Sequence, residues 1–103
     1  MSSRYEFSEE AVFDLREIWS YIAIDNHNPA AADALWNDIE KACEQLAKMP
    51  SLGHQRKDLT PDAEVLFYCV RDYYLVIYRR GTKPLQIARV LHGARDVEDE
   101  LHS

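Results

Sequence analysis

Residues 65–91 read VLFYCVRDYYLVIYRRGTKPLQIARVL, and the predicted architecture follows from this stretch. Its three apolar runs, at 65–70, 73–78 and 85–91, are rich in the β-branched and aromatic residues that favour strands. The two links between the runs are short, and the second contains Gly81 and Pro84. Because links this short join neighbouring antiparallel strands, the stretch predicts an antiparallel meander.

The three runs are apolar on both faces of the predicted sheet. Each face must therefore be at least partly covered, by helices of the same chain or by a partner. Arg89 interrupts the last run. Because a buried or half-buried guanidinium needs a carboxylate, a carbonyl or a ligand beside it, we expect Arg89 to contact one of these.

Two amphipathic helices are predicted ahead of the meander. In the first, apolar residues recur at helical spacing from Ala11 to Ala23, behind Ser8 as the N-cap. The second begins after Asn28 and Pro29, which suit an N-cap and a first helical turn. Because only a few residues separate the two helices, we expect them to form an antiparallel hairpin.

The same periodicity assigns individual side chains to the core or to solvent. Trp19 and Trp36 lie within the apolar stripes and are expected in the core. Asp14 is expected on the opposite, solvent-facing side of the first helix. Cys43 and Cys69 each lie in an apolar segment, which favours small core residues over a disulfide, a nucleophile or a zinc site.

Residues 5–7 alternate apolar and charged side chains, which predicts a short first strand. The element order is then β-α-α-β-β-β, an α+β fold in which an antiparallel helical hairpin packs on a small, mainly antiparallel sheet. A length of 103 residues fits a single domain, 1–103. The acidic tail, at about 96–103, is expected to end as a short helical turn.

Charge is unevenly distributed along this chain, whose formal net charge is −6. Residues 1–52 carry four basic and ten acidic groups, residues 53–95 carry eight and four, and residues 96–103 add four acidic groups. The acidic total argues against coating nucleic acid, since that binding depends on neutralising phosphates, and no direct sequence-specific DNA binding is expected. The basic sheet half remains compatible with a limited contact to RNA or protein.

The sequence contains no signal peptide and no run that approaches the ~20 apolar residues of a membrane span. We therefore expect a cytoplasmic chain that contacts no membrane. Neither a catalytic constellation nor metal-ligand spacing is present, so no catalytic residue, cofactor or metal is expected.

Four segments, in order along the chain, resemble the ParE toxins of the RelE/ParE toxin–antitoxin superfamily. They are NPAA at 28–31, MPSLGHQR at 49–56, YLVIY at 74–78 and IARVLHGARD at 87–96. The resemblance implies the toxin of a type II, plasmid-stabilisation module, held in a hetero-oligomer by a ParD-like antitoxin with a ribbon-helix-helix domain. It also implies growth inhibition by poisoning DNA gyrase, a protein-binding activity rather than an enzymatic one.

RelE-type members of the superfamily instead cut mRNA on the ribosome, with basic and tyrosyl groups that activate a 2′-hydroxyl and stabilise the phosphorane. RelE-like sequences carry lysines on the strand matching 65–70, an arginine opening the next strand, an arginine after the last strand and a tyrosine in the C-terminal segment. Of these, only the arginine after the last strand is present here, as Arg95. Here run 65–70 has no lysine, Tyr73 and Tyr74 open the next run, and segment 97–101 has no tyrosine. A ribosome-dependent endonuclease is therefore the alternative, and a non-toxic relic that still binds antitoxin is the third hypothesis.

The resemblance and the meander together give seven candidates for contact with the target or the antitoxin. Some match the family's Arg-x-x-His-Gly-x-Arg turn, one matches its basic residue after a glycine, and the rest are basic or tyrosyl side chains of the meander. In chain order they are Arg56, Arg71, Tyr73, Tyr78, Arg89, His92 and Arg95.

The residues of the turn after the last predicted strand fit structural roles as well as contacts with a partner. The His92 imidazole is expected to hydrogen-bond nearby backbone and hold the turn. Gly93 is expected to supply a φ angle that other residues resist. Arg95 fits a structural ion pair with Asp96 as well as it fits a contact with a target.

Overall fold

The computed structural model describes residues 4–71 and 73–93 and confirms the predicted α+β architecture. In the described part of the chain, neither helix is both long and apolar enough to cross a membrane. Asp96 and the acidic tail, with its predicted helical turn, lie outside the described residues. The elements are β1 (Tyr5–Phe7), α1 (Glu9–Ser20), a π-helical turn (Tyr21–Asp25), α2 (Pro29–Lys48), a short 3₁₀ helix (Pro50–Leu52), β2 (Val65–Val70), β3 (Tyr74–Arg79) and β4 (Leu85–His92).

Both helices begin at the predicted N-caps. The Ser8 side chain accepts a hydrogen bond from the N–H of Ala11 at 3.0 Å, and the Asn28 side chain accepts one from the N–H of Ala31 at 3.1 Å. Each cap satisfies one of the backbone donors that a helix start leaves without an intrahelical partner. Pro29 occupies the first position of α2, where its missing N–H costs nothing.

The four strands form one sheet in the order β1-β4-β3-β2. Strands β2 and β3 pair antiparallel, as do β3 and β4, which confirms the meander. Strand β1 pairs parallel with β4, from Tyr5 opposite Leu85 to Phe7 opposite Ile87. Because β1 is only three residues long, it covers the first part of β4 and leaves the rest of that edge to α1.

A β-bulge in β4 places apolar residues from both sides of the bulge on the face beneath the helices. The pairing with β3 skips Ala88, which lies between the paired residues Ile87 and Arg89. An extra residue reverses the alternation of side chains beyond it. Leu85, Ile87 and Val90 therefore all pack in the core beneath the helices.

Both faces of the sheet are covered, as the two-sided apolar pattern predicted. The helical hairpin covers one face, where Leu35 and Ile39 of α2 are buried against the strands. On the other face, Phe67, Ile77 and Leu91 form a smaller cluster. The loop at 53–64 covers this cluster from outside with a partly buried leucine, Leu59.

Tyr78 is fully buried and ties β3 to the start of that loop. Its hydroxyl accepts a hydrogen bond from the N–H of Gly53 at 2.9 Å and donates one to the carbonyl of Pro50. A Cβ atom on residue 53 would lie 2.9 Å from Cε1 of the tyrosine ring, so only glycine permits this approach. Burial raises the pKa of Tyr78, which keeps the hydroxyl protonated as a donor.

The structure corrects the assignments of Trp19 and Trp36, which each expose 37% of their surface. Each follows an inward-facing residue of its helix by one position, the partly buried Ile18 in α1 and the buried Leu35 in α2. One residue is about 100° of rotation around a helix, so both indoles lie at the rim of the apolar stripe rather than at its centre.

Two further expectations, for Cys69 and Gly93, were also wrong. Cys69 is exposed on β2, an edge strand of the sheet, whereas Cys43 is buried as expected. Burial raises the pKa of the Cys43 thiol to about 12. Gly93 does not have a positive φ; Gly81 does, at 93°, in the link before β4.

We expect Tyr78→Phe to lower the free energy of unfolding by about 1–3 kcal/mol, because it leaves the partly buried N–H of Gly53 and carbonyl of Pro50 without their partner. Urea denaturation followed by circular dichroism measures the loss. Tyr73→Phe is the matched control, since Tyr73 is 63% exposed, and it should change stability by less than about 0.5 kcal/mol. Equal effects of the two substitutions would contradict the structural role of Tyr78.

Candidate interaction site

One end of the sheet brings together three of the seven candidate residues. Tyr74, at the start of β3, pairs with Val70 of β2 on one side and with His92 of β4 on the other. The turn between β2 and β3 carries Arg71 and Tyr73. Arg71, Tyr73 and His92 therefore lie at the same end of the sheet, although they are distant in sequence.

Two tyrosines hold the His92 ring at this end. The Tyr73 ring lies 6.4 Å from it, centroid to centroid, at an interplanar angle of 25°, and the Tyr74 ring lies 5.6 Å away at 82°. The N–H of Gly93 donates to the carbonyl of Tyr73 at 2.6 Å, which fixes the end of β4 against the turn. The imidazole is thus positioned by aromatic packing, while 63% of Tyr73 remains exposed for contact.

A cleft of about 410 Å³ lies between this end of the sheet and the C-terminal part of α1. We name it the end cleft. Tyr74 and His92 line it from the sheet, and Glu17, Tyr21 and Asp25 line it from α1 and the π-helical turn. No group of three or more His, Cys, Asp or Glu side chains in the described part of the chain could hold a metal ion.

Arg89 has the carboxylate that its position in the strand requires. Its Nε and Nη2 donate to Oδ2 and Oδ1 of Asp14 at 2.8 and 2.9 Å. Oδ2 of Asp14 also accepts the N–H of Val90 at 3.0 Å. Asp14 is only 8% exposed, so its assignment to solvent was wrong. The helical spacing could have predicted this burial, because residue 14 follows Ala11 by three positions and precedes Ile18 by four, which places all three on one face of α1.

Within the described residues, five arginines of the sheet half form ion pairs, three with carboxylates of the same half and two with carboxylates of the helices. Arg71 reaches across to Asp38 of α2 at 2.6 Å, a second link between the basic sheet and the acidic hairpin. The N–H of Glu64, and then Arg79, hold the pKa of Asp62 below its usual value. Beyond Arg89 and Arg71, the pairs are Arg56 with Asp58, Arg79 with Asp62, and Arg80 with Glu64.

The remaining candidates are placed apart from the sheet end. Arg56 lies in the loop at 53–64, where its hydrogen bonds to Asp58 raise its pKa. Tyr78 has no exposed surface, so we leave it out of the contact candidates. Arg89 is held against α1, with 24% of its side chain exposed. Arg95 lies outside the described residues.

An apolar groove of about 590 Å³, which sequence reasoning missed, runs between the two helices. We name it the tryptophan groove. Trp19 donates from Nε1 to Oδ1 of Asp33 at 3.2 Å, and the Trp36 ring lies 6.5 Å from that of Phe7. Val12, 37% exposed, also lines it. The sequence feature that could have predicted this groove is the width of the apolar stripes on the two helices. Large apolar residues extend beyond the positions that the core can bury, so some of them must lie on the surface.

The chain matches one family model and is similar in fold to a solved structure. Residues 5–97 match the family model described as ParE toxin of type II toxin–antitoxin system, parDE. A solved structure described as the chromosomal ParDE TA system from P. aeruginosa is similar in fold, with a TM-score of 0.66 and 20% sequence identity. The alignment covers 87% of this chain and 98% of that one. Among curated proteins, no sequence matches.

We expect Asp14→Asn to lower the free energy of unfolding by about 3 kcal/mol, because it removes one partner of a largely buried ion pair. The amide oxygen of the asparagine can still accept the hydrogen bond from the Val90 N–H. The loss of unfolding free energy therefore measures the effect of removing the negative charge. Asp58→Asn is the control, since the Arg56–Asp58 pair is exposed, with side-chain exposures of 42% and 62%, and should cost less than about 1 kcal/mol. Urea titration of both variants tests this, and similar losses would contradict it.

Proposed function

The chain belongs to the ParE toxin family of type II toxin–antitoxin systems, and from that premise we propose that it inhibits growth by binding DNA gyrase. It acts as a protein-binding inhibitor rather than as an enzyme. The sheet end with Arg71, Tyr73 and His92, continued by Arg95 in sequence, is the proposed contact with the target.

The pairing of the arginines is the observation that carries this proposal. An endonuclease needs cationic groups that are available to a scissile phosphate. Here Arg71, Arg79, Arg80 and Arg89 each have a carboxylate partner, which partly neutralises the charge that they offer to a phosphate, and the Arg89 pair is largely buried as well. The nearby end cleft adds Glu17 and Asp25, which would repel RNA phosphates. A protein surface is the better fit to this charge pattern.

A ParD-like antitoxin is the proposed partner that silences the toxin, and the tryptophan groove is its proposed docking site. The chain leaves Trp19, Trp36 and Val12 more than one-third exposed on the helices, although so small a domain has few large side chains for its core. Grouped apolar surface of this kind marks sites that a partner covers. An apolar segment of the antitoxin would bury the two indoles, and indoles are common among the residues that dominate binding energy.

We expect the purified chain, freed from antitoxin, to inhibit supercoiling of relaxed plasmid by purified gyrase. Tyr73→Ala should weaken this inhibition at least tenfold, about 1.4 kcal/mol of binding. Phe13→Ala is the matched control, because Phe13 on α1 is also 63% exposed, and it should inhibit like the natural chain.

Two outcomes would reject the gyrase proposal. Unchanged supercoiling together with rapid translation arrest and codon-positioned mRNA cuts would establish the endonuclease alternative. Soluble, folded protein that is harmless when overexpressed would establish the non-toxic relic.

For the antitoxin, we expect Trp19→Ala and Val12→Lys each to raise the Kd of the toxin–antitoxin complex at least tenfold, since both disturb the tryptophan groove. The partner to use is the ParD-like antitoxin, which we expect to be encoded by a short reading frame immediately upstream, and calorimetry gives the Kd. Val12→Lys adds a charge without removing core volume, so it remains informative if Trp19→Ala is unstable. Phe13→Ala should leave the Kd unchanged, because the exposed Phe13 side chain lines neither the groove nor the end cleft. A Kd within twofold of the natural value for both groove variants would contradict the docking site.

A further inference from the structure

The end cleft combines two carboxylates with aromatic walls. Glu17, Tyr21 and Asp25 follow one another at intervals of four residues, so they form one stripe along the end of α1 and its π-helical turn. Opposite them, Tyr74 and His92 form the sheet side. The cleft therefore has acidic groups on one wall and the aromatic cluster of the sheet end on the other.

Hydrogen bonds of the π-helical turn and ring packing on the sheet fix the two walls of this cleft. The N–H of Asn26 donates to the carbonyl of Tyr21 at 3.0 Å, the five-residue spacing that defines the turn. Such turns are rare and occur frequently at functional sites. On the sheet wall, the His92 ring is held edge-on by Tyr74, at 5.6 Å and 82°, so that wall is ordered as well.

We propose that the end cleft receives one cationic side chain, an arginine or a lysine, from the same antitoxin segment that occupies the tryptophan groove. Aromatic faces attract a cation through their quadrupole, and carboxylates add charge-assisted hydrogen bonds. An apolar side chain would bury Glu17 and Asp25 without compensation. An acidic or phosphorylated group would meet charge of its own sign.

Continuity between the two surfaces identifies the source of the cation. Ser20 lines both the end cleft and the tryptophan groove, so the two adjoin across α1. A peptide that lies on Trp19 in the groove can cross the helix at Ser20 and place its next basic side chain between Glu17 and Tyr74. This inference rests on the antitoxin docking proposed above, and it adds the chemistry that the segment must carry beside its apolar residues.

A peptide titration tests the cleft by itself. The probes are acetylated glycine–arginine–glycine amide, its lysine counterpart and its neutral citrulline counterpart, added to the full chain. We expect NMR shifts at Tyr74 and His92 with a Kd of about 1–10 mM for the cationic peptides and no saturable shifts with citrulline. The double variant Glu17→Gln, Asp25→Asn should abolish the response. Equal shifts with citrulline, or none with any peptide, would overturn the proposal.

Measuring the affinity of the toxin–antitoxin complex tests whether the end cleft binds a cationic side chain of the antitoxin itself. We expect Glu17→Gln with Asp25→Asn to raise the Kd for the antitoxin at least tenfold and to reduce its dependence on salt. The control, Glu10→Gln with Glu44→Gln, removes two exposed acidic charges elsewhere on the helices and should leave the Kd within twofold.

The outcomes separate this inference from the proposed function. Full affinity in the cleft variant, with loss in the groove variants, would reject the cation site and leave the antitoxin docking intact. If the upstream protein does not bind at all, the docking proposal fails, and the peptide titration still decides whether the cleft holds a cation.

Discussion

The free edge of β4 is the constraint on which the rest of the structure depends. Beyond the short β1, this edge would expose backbone groups that need partners. The start of α1 supplies them, because the Ser8 hydroxyl donates to the carbonyl of Ala88 at 2.7 Å and Asp14 accepts the N–H of Val90 at 3.0 Å. The same carboxylate holds Arg89, so one helix closes the sheet edge and neutralises its charge.

This closure also organises the surface charge. The acidic hairpin lies on a basic sheet, and the pairs Asp14–Arg89 and Asp38–Arg71 join the two layers. Five arginines of the basic sheet half are thereby paired with carboxylates from the chain's own helices and loops. The surfaces proposed for recognition combine exposed aromatic and apolar side chains with the half-exposed Arg71 and the two carboxylates of the end cleft. Such a surface fits protein partners better than it fits a nucleic-acid backbone.

The proposed binding surfaces follow from how the apolar residues are distributed around the two helices of the hairpin. The inner stripes of both helices fill the core, and the large residues next to them, Trp19 and Trp36, stay at the rim. The end of α1, extended by the π-helical turn, then meets the end of the sheet and shapes the end cleft. The residues proposed for recognition thus lie on the helices next to the residues that fill the core. A substitution in either set can therefore affect both partner binding and the stability of the fold.

The sequence by itself determined the elements, their order, both N-caps and the two-sided burial of the meander, because periodicity and capping are local properties of the chain. It also placed Arg71, Tyr73 and His92 near the ends of strands that neighbour one another. The helical spacing places Asp14 beside inward-facing residues of α1, but only the tertiary structure decided that Arg89 is its partner, that the tryptophans line a groove and that β1 lies beside β4. These features depend on contacts such as Asp14 to Arg89, 75 residues apart, and on a single-residue bulge that reverses which face a side chain occupies. No local pattern specifies either, since both arise only when helix and sheet are packed together.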